Sequence, residues 1–156
     1  MSEESKKPSV RMSEEELWAF VEAGHTGILT TLRADGRPIS LPVWYATVNR
    51  CVYVSTRGKK IDRIKRDQRC SFLVEAGERW AELRAVHLEC EGRVIEPDEE
   101  LDQRIRQQME DKYAAFQTRR SAMPEATRSH YSSGGGLIEL LPSGKILNWD
   151  NAKLGV

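Results

Sequence analysis

A chain of 156 residues with 39% apolar content has the length and the hydrophobic material for one domain with one core. Lys plus Arg and Asp plus Glu balance at 24 each, which excludes the summed positive potential that draws a basic domain to nucleic acid or to an anionic membrane, so any anion site must be local. The charged start MSEESKKPSVRM has no apolar core of a secretory leader, and no run of ~18 apolar residues occurs, so a cytoplasmic protein without nucleic-acid or membrane partners is expected.

Residues 1–12 read as a flexible N-terminus and residues 13–156 as a single domain. Ser13 and Glu16 form a capping box that opens a helix. Leu17, Phe20 and Val21 give it one apolar stripe, and Gly24 is placed to end it in a left-handed cap. From His25 the texture becomes β-branched: HTGILTTLR, an Asp35-Gly36 turn signal, then ISLPVWYATV form a strand, turn, strand unit. CVYVST (51–56) is a further strand after an Asn49-Arg50 turn, and RCSFLVEA (69–76) another. Between them GKKIDRIKRDQ shifts to helical spacing through Ile61 and Ile64.

After Gly77, Val86, Leu88, Cys90 and Gly92 alternate with Ala85, His87, Glu89 and Glu91, a period of two that predicts one long strand or two with a bend at Gly92. Pro97 with Asp98, Glu99 and Glu100 opens a second helix, striped by Leu101, Ile105, Met109, Tyr113 and Phe116. Residues 117–135 are polar and read as a mobile connection, either a lid or a disordered connector. LIELL and KILNW, separated by a Pro142-Ser143-Gly144 turn, read as two closing strands. Six or seven strands in hairpin succession, flanked by helices, are buried most economically as a mainly antiparallel β-barrel.

Cys51, Cys70 and Cys90 are widely spaced and odd in number, which fits small buried hydrophobes rather than a disulfide framework. His25, His87 and His130 have no ligand spacing, so no metal site is assigned. The segment that carries chemistry is Ser55-Thr56-Arg57-Gly58-Lys59-Lys60, where a strand ends and a short helix begins. Hydroxyls, a glycine, three cations and free helix N-terminal amides are the parts of a phosphate site. Taken alone, the same segment also reads as a solvated basic turn.

The order of a helix, ILTTLRADGRPISLPVWYA, VYVSTRGKKIDRIKRDQRCSFLVE and the WAELRAVHLECEGRVIE strand resembles the pyridoxamine 5′-phosphate oxidase-like superfamily of split β-barrel flavoproteins. The likeness covers residues 13–96 and the ending LIELLPSGKILNWDNAKL. It implies a mainly β split barrel of FMN-binding type that works as a homodimer. It implies that Arg57, Lys59 and Lys60 hold a cofactor phosphate, that Ser55 and Thr56 line the cofactor, and that Pro42, Val43, Trp44 and Tyr45 run alongside an isoalloxazine ring. Trp149 falls where the superfamily brings a C-terminal aromatic toward the flavin, commonly from the partner subunit. Trp44 and Tyr45 also read as core or interface packing, and Trp149 as a cover for the barrel end.

The implied function is an oxidoreductase that moves a hydride to or from a small organic substrate on FMN or, alternatively, the deazaflavin F420. F420 carries an anionic tail for which Arg63, Lys65, Arg66 and Arg69 are the available cations. Pyridoxamine phosphate oxidases proper are longer and end in an Arg-rich signature, where this chain has Asn151 to Val156, so that particular reaction is not expected. A non-catalytic flavin- or haem-binding sensor or storage protein on the same barrel is the alternative. No catalytic residue is assigned. Trp18, Trp44, Trp80 and Trp149 are the candidates for the dimer interface.

Overall fold

The capping box at Ser13 forms as expected: its hydroxyl accepts from the Glu16 amide, the Glu16 carboxylate accepts from the Ser13 amide, both at 3.2 Å, and helix α1 (Glu14–Ala23) follows. The computed structural model describes residues 8–131 and 135–155. Gly24 ends the helix in extended geometry (φ −67°, ψ 147°), not in the left-handed cap its position predicts. The glycine is needed for close approach instead. A Cβ there would run into the Tyr45 hydroxyl and come within 2.7 Å of Val74 Cγ1.

Seven strands follow: β1 (Gly27–Leu32), β2 (Pro38–Val43), β3 (Ala46–Val48), β4 (Cys51–Arg57), β5 (Arg69–Ala76), β6 (Arg84–Ile95) and β7 (Gly135–Asp150). All neighbours are antiparallel, in the order β2-β1-β5-β6-β7-β4-β3. β2 and β3 are therefore opposite edges of one sheet. Yet only Trp44 and Tyr45 separate them, a span of about 11 Å when extended. The sheet must curl until its edges nearly meet, which makes a barrel split between β2 and β3.

Leu29, Val52, Phe72, Val86, Leu88 and Ile138 fill the barrel, with Leu17, Trp18 and Val21 of α1 packed against them. β6 keeps its predicted alternation, Val86, Leu88, Cys90 and Gly92 facing inward. The expected bend at Gly92 does not occur. The register breaks between Leu88 and Cys90, and Gly92 instead leaves room for Ile64, whose Cδ1 lies 2.7 Å from where a Cβ would stand. Ile64 belongs to the short helix α2 (Lys59–Arg66), which buries Ile61 and Ile64 as its spacing predicts.

LIELL and KILNW are not a hairpin. They form the single 16-residue strand β7, both halves pairing with β6, so the Pro142-Ser143-Gly144 signal makes an irregularity in one strand. β6 is long enough to hold both halves, and the tertiary partner overrides the local turn. Helix α3 (Glu99–Tyr113), capped by the Asp98 carboxylate on the Leu101 amide at 2.8 Å, covers the outer face of β3, β4 and the first half of β7. Its stripe stops short of Phe116, which is 61% exposed.

Part of the segment read as a mobile connection is ordered into a 3-10 turn (Arg120–Ala122) and helix α4 (Glu125–Tyr131), while residues 132–134 lie outside the described residues. Residues 10–12, read as part of a loose end, are held to β7: Val10 O accepts from the Asp150 amide at 2.7 Å, the Met12 amide donates to Asn148 Oδ1 at 2.8 Å, and Met12 is buried. All three cysteines are free thiols. Cys90 is buried and Cys51 and Cys70 are half-buried, Cys70 with its thiol pushed up to about 12 mainly by burial. Among the described residues no helix is long and apolar enough to cross a membrane.

Candidate functional site at the split in the barrel

The pairing of β3 with β4 ends at Ala46 opposite Tyr53. Beyond it, Ser55, Thr56 and Arg57 keep their β7 partners on one side and face the split on the other. A cleft of about 490 Å³ opens there, lined by Thr26, Pro42, Val43, Trp44, Ser55, Thr56 and Lys60. The structure thus brings together six residues named from the sequence. Pro42 sits on an edge strand, where a residue without an amide proton costs no ladder bond.

Helix α2 begins at this cleft. Its cap residue, Gly58, has φ 71° and ψ −139°, and no side chain caps the first turn. A positive φ here favours glycine. Among the described residues neither Lys59 nor Lys60 has a hydrogen-bond or ion-pair partner. Lys60 lines the cleft, Lys59 is exposed beside it, and Arg57 is half-buried at the end of β4. An unpaired ammonium on the wall of this cavity, at a helix start that no side chain caps, is chemically suited to an anion.

Residues 13–131 match the family model described as pyridoxamine 5′-phosphate oxidase. The chain belongs to that family. A conserved hypothetical protein of Mycobacterium tuberculosis is 27% identical and superposes with a TM-score of 0.78, covering 97% of this chain and 93% of that one. A FAD-binding protein of Mesorhizobium loti (16% identity, TM-score 0.66, 88% and 94% covered) and HutZ, the haem storage protein of Vibrio cholerae (16%, 0.62, 86% and 92%), share the fold. No curated protein matches the chain.

Within this pyridoxamine 5′-phosphate oxidase barrel, two residues named from the sequence stand apart from the cleft. The Tyr45 side chain is fully buried, its hydroxyl donates to Val21 O and its ring meets Phe72 edge-on at 4.8 Å, and burial pushes its phenol above the usual range. Its amide is engaged too, donating to the Tyr113 hydroxyl at 3.0 Å. Trp149 is on the outer sheet face opposite Ala85, at the far end of β7 from Leu137, the partner of Ser55. Trp18 is in the core and is no interface residue.

Four residues that shape the site were not singled out from the sequence as site residues. Thr26 lines the cleft. Tyr113 stacks on Trp44 with ring centroids 4.4 Å apart and planes 9° from parallel, while its hydroxyl donates to His25 O at 2.8 Å. Gln108 accepts from the Thr47 amide at 2.8 Å and donates its own amide to Thr47 O, doing for the open edge of β3 what a neighbouring strand would do. Lys112 lies 4.1 Å over the Tyr45 ring and donates to Tyr45 O at 3.3 Å, and burial lowers its ammonium to about 8 against the opposing pull of Glu22. Tyr113 belongs to a visible apolar stripe. Gln108 and Lys112 gave no signal, because polar residues on a helix read as a solvated face.

Proposed function

We propose that this protein binds FMN across the split in the barrel and uses it to move a hydride to or from a small organic substrate. The observation that carries the reading is the convergence of unpaired Lys60 and the uncapped start of α2 on the cleft walled by Pro42 and Trp44. Lys60, with Lys59 and Arg57 close by, would hold the phosphate, and Ser55 and Thr56 would line the cofactor. Pro42, Val43 and Trp44 supply flat apolar surface for the ring. A cleft of about 490 Å³ is within the ordinary range for a bound cofactor. The flavin supplies the redox chemistry, and the protein positions it and sets its surroundings.

F420 is less favoured, because two of the cations available to its tail are occupied: Arg69 pairs with Asp67 at 2.8 Å and Arg66 donates to Leu32 O at 3.2 Å. Among the described residues the cleft lining holds no His, Cys, Met or Tyr, side chains that ligate haem iron. The dimer belongs to the same proposal, since Trp149 on the outer face can reach a cleft only across a subunit boundary. A cytoplasmic setting fits three unpaired thiols.

Absorbance of the purified protein tests the reading. A band near ~450 nm that bleaches with a nicotinamide hydride donor supports a flavin oxidoreductase. A band near ~420 nm would move the assignment to the deazaflavin, a sharp Soret band to haem, and failure of added FMN to bind would overturn it.

A further inference from the structure

A second cavity, a groove of about 870 Å³, lies between α3 and the ends of β4, β6 and β7, and Ser55 is on the wall of both cavities. We propose that this groove is the substrate chamber and that it takes neutral or cationic molecules with an apolar body, not carboxylates or phosphates. That it receives substrate rests on the flavin reading of the neighbouring cleft. Its chemical preference rests on its own lining.

The floor is apolar: Ile95 and Leu137 are cross-strand partners, and Ile105 and Met109 face them from α3. The rim is richer in acceptors than in donors. Gln103 and Gln107 have their amide NH₂ groups turned to Glu99 at 3.5 Å and Asp111 at 2.9 Å, which leaves their carbonyl oxygens for a ligand. Arg106, the cation of this lining, is held by Asp102 at 2.7 Å, one turn away. Among the described residues Glu96 and Glu110 have no ion-pair partner, so the rim carries uncompensated negative charge. The cleft is cationic and the groove is acceptor-rich and anionic, so a phosphate is drawn to one cavity and an amine to the other.

Three isosteric probes test the claim: 4-methylbenzylamine, 4-methylbenzyl alcohol and 4-methylbenzoate, titrated into the full chain and followed by amide chemical shifts. The amine and the alcohol should perturb Ile105, Met109 and Leu137, with the benzoate at least about tenfold weaker than the amine. The double variant Glu96→Gln, Glu110→Gln should lower amine affinity about fivefold and leave the alcohol unchanged. Equal or tighter binding of the benzoate, an amine preference that survives the double variant, or shifts that avoid the groove would each overturn the proposal. FMN is titrated separately by flavin fluorescence. Selectivity without FMN binding would support the groove and sink the flavin reading, and FMN binding without selectivity would sink the groove alone.

Discussion

Lys60 stands in the first turn of α2, where the helix dipole disfavours a cation by roughly 0.3–1 kcal/mol. A bound phosphate reverses that sign. Lys60→Ala is therefore expected to leave the melting temperature of the apo protein unchanged or slightly raised, while FMN affinity falls about 10- to 100-fold, the worth of one charge-assisted hydrogen bond. Flavin fluorescence titration reads the second number, and unaltered affinity would return the segment to a solvated basic turn. Lys112 makes a different demand. Its ammonium titrates at about 8 in the fold against 10.5 when free, so below pH 8 both states are charged and burial opposes folding in full. Between 8 and 10.5 the unfolded chain holds a proton that the fold has shed, and stability rises with pH. The raised thiols and phenols act in the opposite direction but are common to wild type and to Lys112→Met. The variant should be the more stable below pH 8, with an advantage that fades toward pH 10.5, as urea midpoints at several pH values would show. Gly24→Ala should cost about 1–3 kcal/mol, because the Tyr45 hydroxyl and Val74 have nowhere to retreat.

At the scale of elements, α3 is the brace of the split. Gln108 and Tyr113 serve the backbone of Thr47 and Tyr45, groups left open by the absence of a strand beyond β3. Gln108→Leu leaves the buried Thr47 amide unpaired and should cost about 1–3 kcal/mol in chemical denaturation. Local signals were readable where the element depends on its own residues. The Ser13 capping box, the Ile61 and Ile64 spacing and the alternation along β6 all appear where the sequence places them. Signals failed where a distant partner decides. ISLPVWYATV reads as one strand because no Gly, Asn or Asp divides it, but Tyr45 turns into the core and Trp44 turns onto Tyr113, and that break creates the cleft. Pro142-Ser143-Gly144 reads as a hairpin because nothing local reveals that β6 extends past it.

For the molecule as a whole, the curled sheet has an inside filled by the core and an outside that α3 covers only over β3, β4 and the first half of β7. The cationic turn of the site was legible because its chemistry is contiguous in sequence, whereas the face that α3 leaves free was not, because its members come from β1, β5, β6 and β7. Ile28 pairs with Leu73, Leu73 with His87 and His87 with Leu147, so one row of side chains runs across four strands with Trp149 at its corner. Leu147 is 45% and Trp149 40% exposed. Among the described residues the buried side-chain nitrogen or oxygen without a partner is His87 Nδ1, in the middle of that row. A second copy of the chain is the occupant proposed for this face, because Trp149 can then approach a cleft it cannot reach within its own subunit. In a two-fold interface every substitution enters twice. Leu147→Glu would place two uncompensated carboxylates against apolar surface, and at about 1–3 kcal/mol each the association should weaken about 30-fold or more. Light scattering should give wild type at twice the 17.8 kDa chain mass and the variant at one chain, with Trp149 fluorescence shifted to the red and the fold retained by circular dichroism. A wild type that scatters as one chain would remove the partner subunit and, with it, any role for Trp149 at the cofactor.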